Sequence, residues 1–226
     1  MKISVSNLDF FRKWRLDEEL PLGVLLQRFS GVEAPSEAMQ VGTALHSILE
    51  EDLGDLYEVE CGGFLFRFKL DAELALPAIR EMRMQKTYDF RTAGAILGGS
   101  ANDDRDAVTL RGRVDGLDGL TVTDHKSTSY FDPLRFTDSM QWKCYLSMLE
   151  ADRFVYNIFE IKIEGPLAWM DGSGNDATGS HMVTEVTVKD IHQMTFYRYP
   201  GMEEDIRDEV ARFRDFVLSN PALTLA

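Results

Sequence analysis

Residues 110–129 read LRGRVDGLDGLTVTDHKSTS and combine strand-forming residues with two aspartates and a lysine. The Asp118-Gly119 pair is typical of a two-residue hairpin turn, and apolar residues flank it on both sides. We therefore predict a β-hairpin over residues 108–126. Charged side chains on a half-buried strand are costly unless they are paired or bind a metal. The question for the function is whether these aspartates and the lysine form ion pairs or bind a metal.

A turn at residues 118–119 fixes which side chains share a face of the hairpin. It pairs Leu117 with Leu120, and alternate residues of each strand then lie on the same side. Two carboxylates on one side repel each other unless a cation or a proton lies between them. Carboxylate oxygens are the ligands that Mg²⁺ prefers. The alternative is an exposed edge hairpin with cross-strand ion pairs. The charged side chains predicted on this side are Arg111, Arg113, Asp115, Asp124 and Lys126.

Two predicted helices carry further candidate residues. On the first, His46 and Glu50 are four residues apart and lie along one edge. Histidine can add a metal ligand and Glu50 can orient its ring, although a lone helix histidine is more often an ordinary core or surface residue. On the second, Gln141 and Tyr145 are one turn apart and can hydrogen-bond phosphate or base edges. The alternative there is an ordinary amphipathic helix.

The composition is ordinary for one globular domain, with 226 residues, 44% hydrophobic and 27% charged. No linker-like stretch divides the chain, so we predict a single domain over residues 1–226. No apolar run reaches the roughly 20 residues that span a bilayer, and the first residues do not resemble a secretory signal. Two cysteines, Cys61 and Cys144, suggest reduced thiols in a cytoplasmic protein. The net charge of −14 argues against a general positive field for nucleic acid but leaves room for a local basic track.

The order of the predicted elements indicates an α/β protein whose central mixed β-sheet is flanked by α-helices. We predict a first helix over residues 7–15, capped by Ser6 with Asp9 completing a capping box. Asp71 is expected to cap a long helix that reaches residue 88. The other predicted elements are helices over 36–51 and 137–150, one or two amphipathic helices over 190–219, a hairpin over 57–70, and strands over 153–163 and 182–188.

Four short motifs occur in one order along the chain: G-x-x-x-H-x-x-x-E from Gly42, G-R-V-D from Gly112, T-D-H-K-S-T from Thr123 and Q-x-x-x-Y from Gln141. Together they resemble the RecB-like exonuclease branch of the PD-(D/E)XK nuclease superfamily. The resemblance spans residues 42–145. It implies a restriction-endonuclease-like core and a deoxyribonuclease that depends on Mg²⁺ or Mn²⁺. It also implies an exonuclease that acts on DNA ends or single strands in recombination or repair.

The resemblance assigns a role to each matching residue. Lys126 would be the catalytic lysine, acting beside two catalytic aspartates. The ring of His125 would point away from the site while its backbone carbonyl binds the metal. The side-chain metal ligands would be His46, Asp115 and Asp124, with Glu50 behind them. The residues expected to contact DNA or its strand end are Gln141, Tyr145, Arg111 and Arg113.

The N-terminal segment ISVSNLDFFRKW is similar to the opening of the CRISPR-adaptation nucleases of this branch, which carry a cysteine where Trp14 stands here. Because two cysteines cannot supply four thiolates, no iron–sulfur cluster is expected. A compact member without a cluster resembles nucleases that bacteriophages encode, and these act in the host cytoplasm. Relatives of this kind assemble around DNA, so a homo-oligomer and a recombination partner protein both stay open.

Other functions stay open beside the exonuclease. An endonuclease, structure-specific or nicking, would use the same site, and a catalytically inactive DNA-binding module would keep only the fold. The stretch DGSGNDATG at residues 171–179 superficially resembles a calcium loop. Its twelfth position is Met182 instead of the glutamate that such loops require. We therefore interpret it as a hairpin loop.

Overall fold

The computed structural model describes residues 1–31, 36–51, 58–69, 77, 79–91, 106–164 and 184–220, without the side chains of residues 37, 50 and 51. In this part of the chain eight strands form one mixed sheet. The strands are β1 (Lys2–Ser4), β2 (Glu58–Cys61), β3 (Phe64–Lys69), β4 (Ile79–Asp89), β5 (Ala107–Asp118), β6 (Thr121–Thr128), β7 (Arg153–Glu164) and β8 (Thr184–Tyr197).

The strands are ordered β1-β5-β6-β7-β8-β3-β2, with β4 paired to β5 outside this path. The β1–β5, β6–β7 and β3–β8 pairs are parallel and the other pairs are antiparallel. The described helices are α1 (Val5–Leu16), α2 (Leu22–Ser30), α3 (Glu37–Glu51), α4 (Pro133–Thr137), α5 (Gln141–Leu149) and α6 (Met202–Ser219). The predicted α/β class, a mixed sheet flanked by helices, is confirmed.

The sheet has a hydrophobic core on each face. Along β7, Tyr156 and Ile158 belong to the larger core, which includes residues of α1, α2, α5 and α6. Phe159 and Ile161 belong to the smaller core beneath α3. Because successive side chains of a strand point to opposite faces, α3 lies on the face opposite to the other long helices. Helices therefore pack on both faces of the central strands.

The structure departs most from the predicted elements at residues 71–88. Residues 71–76 lie outside the described part, but residues 79–89 form strand β4 instead of the predicted helix. The stretch alternates, with Met82, Met84 and Tyr88 packed in or against the larger core. Glutamate, methionine, glutamine and lysine favour helices intrinsically, and pairing with β5 overrides that preference. Residues 190–197 are likewise strand, in β8, where a helix was predicted.

Two local predictions were also wrong. The cap of α1 is Ser4, whose hydroxyl accepts from the backbone N–H of Asn7, and not Ser6. The carboxylate of Asp9 leaves its own helix and accepts hydrogen bonds from the backbone N–H of Met140 and the hydroxyl of Ser139, at the start of α5. A capping box at α1 is therefore absent, and Asp9 instead joins two distant helices.

The predicted hairpin forms, but with a different register. Leu117 pairs with Val122 and Asp118 with Thr121, so Gly119 and Leu120 are the loop residues. The partner of Leu117 is thus shifted by two residues from the predicted Leu120. A shift of one residue exchanges the faces of a strand, whereas a shift of two preserves them.

The other predicted elements agree with the structure to within a few residues. The helix over residues 36–51 is α3, the hairpin over 57–70 is β2 and β3, and the strand over 153–163 is β7. The helix predicted over 137–150 is α5, which begins four residues later, at Gln141, and the short helix α4 before it was not predicted. The interpretation of residues 171–179 as a loop lies outside the described residues. No described helix is long and apolar enough to cross a membrane.

Candidate metal centre

The candidate site lies where strand β5 lacks a partner on one of its sides. Strand β4 pairs with β5 along residues 107–117. On the other side, β1 pairs with residues 109–111 and β6 with residues 116–118. Among the described residues no strand therefore covers that side of residues 112–115. Asp115 stands at this gap, where side chains from neighbouring helices and strands can converge on it.

Three side chains from three elements bring possible metal ligands together. One ligand atom each of His46 on α3, Glu81 on β4 and Asp115 on β5 lies within 4.8 Å of the others. The Nδ1 atom of His46 is 3.5 Å from a carboxylate oxygen of Asp115. The carboxylates of Glu81 and Asp115, within 4.8 Å of each other, repel. Arg113 already pairs with Glu81, and a cation between the two carboxylates would remove the remaining repulsion. Two carboxylates and an imidazole suit Mn²⁺, and carboxylates with water suit Mg²⁺.

The backbone at Glu81 is strained. This residue has a φ of 55°, in the left-handed region that residues other than glycine rarely adopt. It stands opposite Asp115, between the Arg80–Gly116 and Met82–Val114 pairs of the ladder. Such strain costs about 1–3 kcal/mol and is concentrated at active sites and ligand sites. The strained conformation makes Glu81 a candidate member of a ligand site.

The second aspartate of the hairpin makes different contacts. Asp124 is buried and forms an ion pair with the Nζ atom of Lys126. Its other oxygen accepts a hydrogen bond of 3.0 Å from the side-chain amide of Gln141. Burial raises the pKa of Asp124 to about 6, against the lowering effect of Lys126. Asp124 lies close enough to His46 and Asp115 to be influenced by their charges, but it is not part of the three-residue group.

Lys126 keeps its proton in this environment. Burial lowers the pKa of its ammonium group, but the carboxylates of Asp124 and Asp115 more than offset this and hold the pKa above its ordinary value. One third of the side chain is exposed. Lys126 is therefore a fixed positive charge at neutral pH, which suits the binding of a phosphate oxygen better than the removal of a proton from water.

The backbone of His125, between Asp124 and Lys126 on β6, contacts Asp115 on β5. Its N–H donates a hydrogen bond of 2.6 Å to the carboxylate of Asp115. Its ring lies 6.3 Å from that of His46 and 6.0 Å from that of Phe159, between centroids. Phe159 belongs to the core beneath α3, so the ring of His125 lies on that face. Burial lowers the pKa of His125 to about 4, so the ring is neutral at neutral pH.

The residues predicted to contact DNA lie beside the site, and two of them support it. Gln141 holds Asp124, and the buried phenol of Tyr145 donates a hydrogen bond of 2.8 Å to the backbone carbonyl of Arg113. The guanidinium of Arg113 is paired with Glu81 at 2.7 Å. Arg111 lines a cavity of about 780 Å³ together with Arg113 and Tyr145. The side chain of Glu50 lies outside the described residues.

Glu81 was not among the predicted site residues, because a helix was predicted where it lies. The signal that could have found it is the alternation in EMRMQKTYD, residues 81–89, where polar and apolar residues follow a period of two. The role of Asp9 was not predicted either. Asp9 fixes the start of α5 and thereby the position of Gln141. That contact joins residues 131 positions apart. No local sequence pattern specifies it.

Comparison with known proteins adds little to this geometry. No protein-family model and no curated protein matches the chain. One solved structure that is similar to it is the crystal structure of SSO0001. The two share 14% sequence identity with a TM-score of 0.45, and the similarity covers 97% of this chain and 77% of that chain. At this TM-score the likeness carries no argument about function.

Proposed function

We propose that this protein is a deoxyribonuclease that hydrolyses phosphodiester bonds with Mg²⁺ or Mn²⁺. The observation that carries the proposal is the convergence of His46, Glu81 and Asp115 beside the buried Asp124 and its partly exposed partner Lys126. A cluster of carboxylates with one histidine suits a divalent cation, and an adjacent ammonium group suits an anionic substrate. We propose that it acts as an exonuclease on DNA ends or single strands, in recombination, repair or phage DNA processing in the cytoplasm.

The proposed ligands of the cation are His46, Glu81 and Asp115. Asp124, on the adjacent strand, is a further proposed ligand outside this group. When bound, the cation would neutralise charge on the scissile phosphate and lower the pKa of water. His125 holds Asp115 in place through its backbone N–H. This hydrogen bond, together with the contact to His46, fixes both oxygens of Asp115 before substrate arrives.

Lys126 has the role of a fixed cation next to the phosphate. Its ammonium group can donate a hydrogen bond to a non-bridging phosphate oxygen, and charge that develops there during hydrolysis strengthens this bond. Gln141 keeps the partner carboxylate of Asp124 oriented, and Asp9 keeps Gln141 at the start of its helix. The catalytic groups are thus held by contacts from both layers of helices.

The proposal is tested with purified protein and labelled linear and closed circular DNA, in single- and double-stranded form. Each substrate is incubated with Mg²⁺, with Mn²⁺ and with EDTA. We expect loss of linear DNA that requires the metal and that Lys126→Ala reduces by at least about 100-fold, the scale for loss of one preorganised charge. Lys162→Ala is the matched control, because that lysine is exposed on β7 and pairs with Glu164.

Each result has a distinct reading. Cleavage of closed circles would replace the exonuclease with an endonuclease at the same site. DNA binding without cleavage under either metal would identify a binding module that lacks the chemistry. Equal loss of activity in Lys126→Ala and Lys162→Ala would contradict the role assigned to Lys126.

A further inference from the structure

A row of arginines extends from the candidate metal centre along strands β4 and β5. Arg83 on β4 pairs directly with Arg113 on β5, and Gln85 pairs with Arg111. Partners in an antiparallel ladder, and residues two apart on one strand, share a face of the sheet. Their side chains therefore lie on one face, and Arg83, Gln85, Arg111 and Arg113 all line the 780 Å³ cavity.

The metal centre lies at one end of this row. Asp115 is two residues beyond Arg113 on β5, and Glu81 is two residues before Arg83 on β4. Residues two apart on a strand are separated by about 7 Å. This spacing resembles that of successive phosphates in an extended nucleic-acid strand. The row thus continues in two steps from the metal ligands, first to Arg83 and Arg113 and then to Gln85 and Arg111.

Among the residues that the structure describes, only one of the three arginines in the row has a carboxylate partner. Arg113 is neutralised by Glu81, but Arg83 and Arg111 form no ion pair with any residue that the structure describes. Like charges placed opposite each other on neighbouring strands are destabilising. The chain carries a net charge of −14, so carboxylates are abundant elsewhere. Arg83 and Arg111 are diagonal neighbours on the two strands, and among the described residues neither has a carboxylate partner, which favours an anionic ligand from outside the protein.

We propose that Arg83, Gln85 and Arg111 bind the backbone of one nucleic-acid strand on one side of the scissile phosphate. The identity of the anion rests on the proposed function. Arginine binds phosphate through two parallel N–H groups, and a glutamine amide can donate to the same oxygens. The strand lies along β4 and β5, and its scissile phosphate reaches the metal centre at Asp115. The site requires a strand that continues for at least two phosphates beyond the one that is cleaved.

This track explains how a strongly acidic protein can hold DNA. Contacts to phosphate give affinity without reading the base sequence, so the track predicts little sequence preference. Ser4 and Ser6 also line the cavity, and their side chains carry hydroxyl groups. These are polar groups of the kind that contact phosphate and sugar.

The test measures binding of a fluorescein-labelled single-stranded oligothymidylate in EDTA, where the proposed chemistry cannot occur. Wild type, Arg83→Gln, Arg111→Gln and the control Arg153→Gln are compared by fluorescence anisotropy across a series of salt concentrations. Arg153 is exposed at the hairpin-turn end of the sheet, away from the cavity. We expect each track variant to bind roughly tenfold more weakly. Its log–log salt slope should be smaller by about 0.7, and Arg153→Gln should behave as wild type.

Failure of the track and failure of the proposed nuclease are separable. Equal binding by all four proteins, or no binding by wild type, would overturn the track. Competition by polyglutamate as strong as that by unlabelled oligonucleotide would overturn it as well, in favour of an acidic polypeptide. Arginine-dependent binding in EDTA without cleavage in Mn²⁺ would support the track and contradict the nuclease. If wild type, Arg83→Gln and Arg111→Gln all cleave DNA and bind it equally well, the result would support the nuclease and contradict the track.

Discussion

Replacement of Asp124 by asparagine should make the protein more stable at neutral pH. The buried carboxyl has a pKa of about 6, against an ordinary value of 3.8. Because the pKa in the folded state lies above that in the unfolded chain, the folded state binds the proton more tightly. The stability that this group contributes is therefore fully present below about pH 4 and is lost as the pH rises through 6.

The size of the effect follows from the same values. At about 1.36 kcal/mol per pH unit, raising the pKa from 3.8 to about 6 makes ionisation of Asp124 cost about 3 kcal/mol. Asparagine resembles the protonated carboxyl, and its carbonyl oxygen can still accept the hydrogen bond of Gln141. Lys126 keeps the attraction of Asp115 and Asp9. Above pH 7 Asp124→Asn should therefore exceed wild type by about 3 kcal/mol in free energy of unfolding, and by almost nothing at pH 4.

Urea unfolding in EDTA, followed by circular dichroism at pH 4, 5.5, 7 and 8, measures this difference. Asp118→Asn is the control, because that aspartate is exposed at the hairpin and its substitution should change stability by less than about 0.5 kcal/mol. A difference in free energy of unfolding between Asp124→Asn and wild type that does not grow with pH would contradict a raised pKa of Asp124. So would a variant less stable than wild type at pH 8. In either case burial would not dominate the electrostatics of the site.

Two further substitutions test how the helices are held around the sheet. Gly112→Ala should destabilise the fold by about 1–3 kcal/mol, because an added Cβ would lie 2.5 Å from the buried ring of Tyr145. Gly23→Ala, in open space within α2, should instead stabilise the fold by about 0.5–1 kcal/mol. Thermal unfolding measures both variants, and an equal change in Tm for Gly112→Ala and Gly23→Ala would contradict a clash with Tyr145. Glu209→Ala should cost about 2 kcal/mol, less than for a fully buried pair, because buried Glu209 binds the partly exposed Arg15 at 2.9 Å. Glu58 is exposed, so Glu58→Ala should cost under about 1 kcal/mol in the same thermal unfolding measurement. Equal destabilisation by Glu209→Ala and Glu58→Ala would show that burial of Glu209 has no effect.

The hairpin shows what a local pattern can specify. Alternation and the Asp118-Gly119 signal were sufficient to predict two strands and a common region for Asp115, Asp124 and Lys126. They were insufficient for the register, because the loop is formed by Gly119 and Leu120. They also could not show that the contacts diverge, with Asp115 beside His46 and Asp124 beside Lys126. The divergence arises from the gap between β1 and β6, which depends on the whole sheet.

Strand β4 shows where propensity misleads. Residues 79–89 contain many good helix formers, so the prediction of a helix placed Glu81 far from the site. In the sheet the same residue faces Asp115 in a strained conformation. Long-range pairing decides between the two states, because propensity differences of a few tenths of a kcal/mol per residue are smaller than the energy of burying one face of a strand. The alternating pattern was the stronger signal.

The proposed function requires that His46, Glu81 and Asp115 together bind a divalent cation. Calorimetric titration of Mn²⁺ into the metal-free protein at pH 7.5 measures this binding, with Glu81→Gln compared against Glu58→Gln, an exposed glutamate on β2. We predict saturable binding by wild type and Glu58→Gln that Glu81→Gln weakens by at least about tenfold, the loss expected when an important metal contact is removed. Identical isotherms for wild type and Glu81→Gln would contradict the assignment of this group as the metal centre.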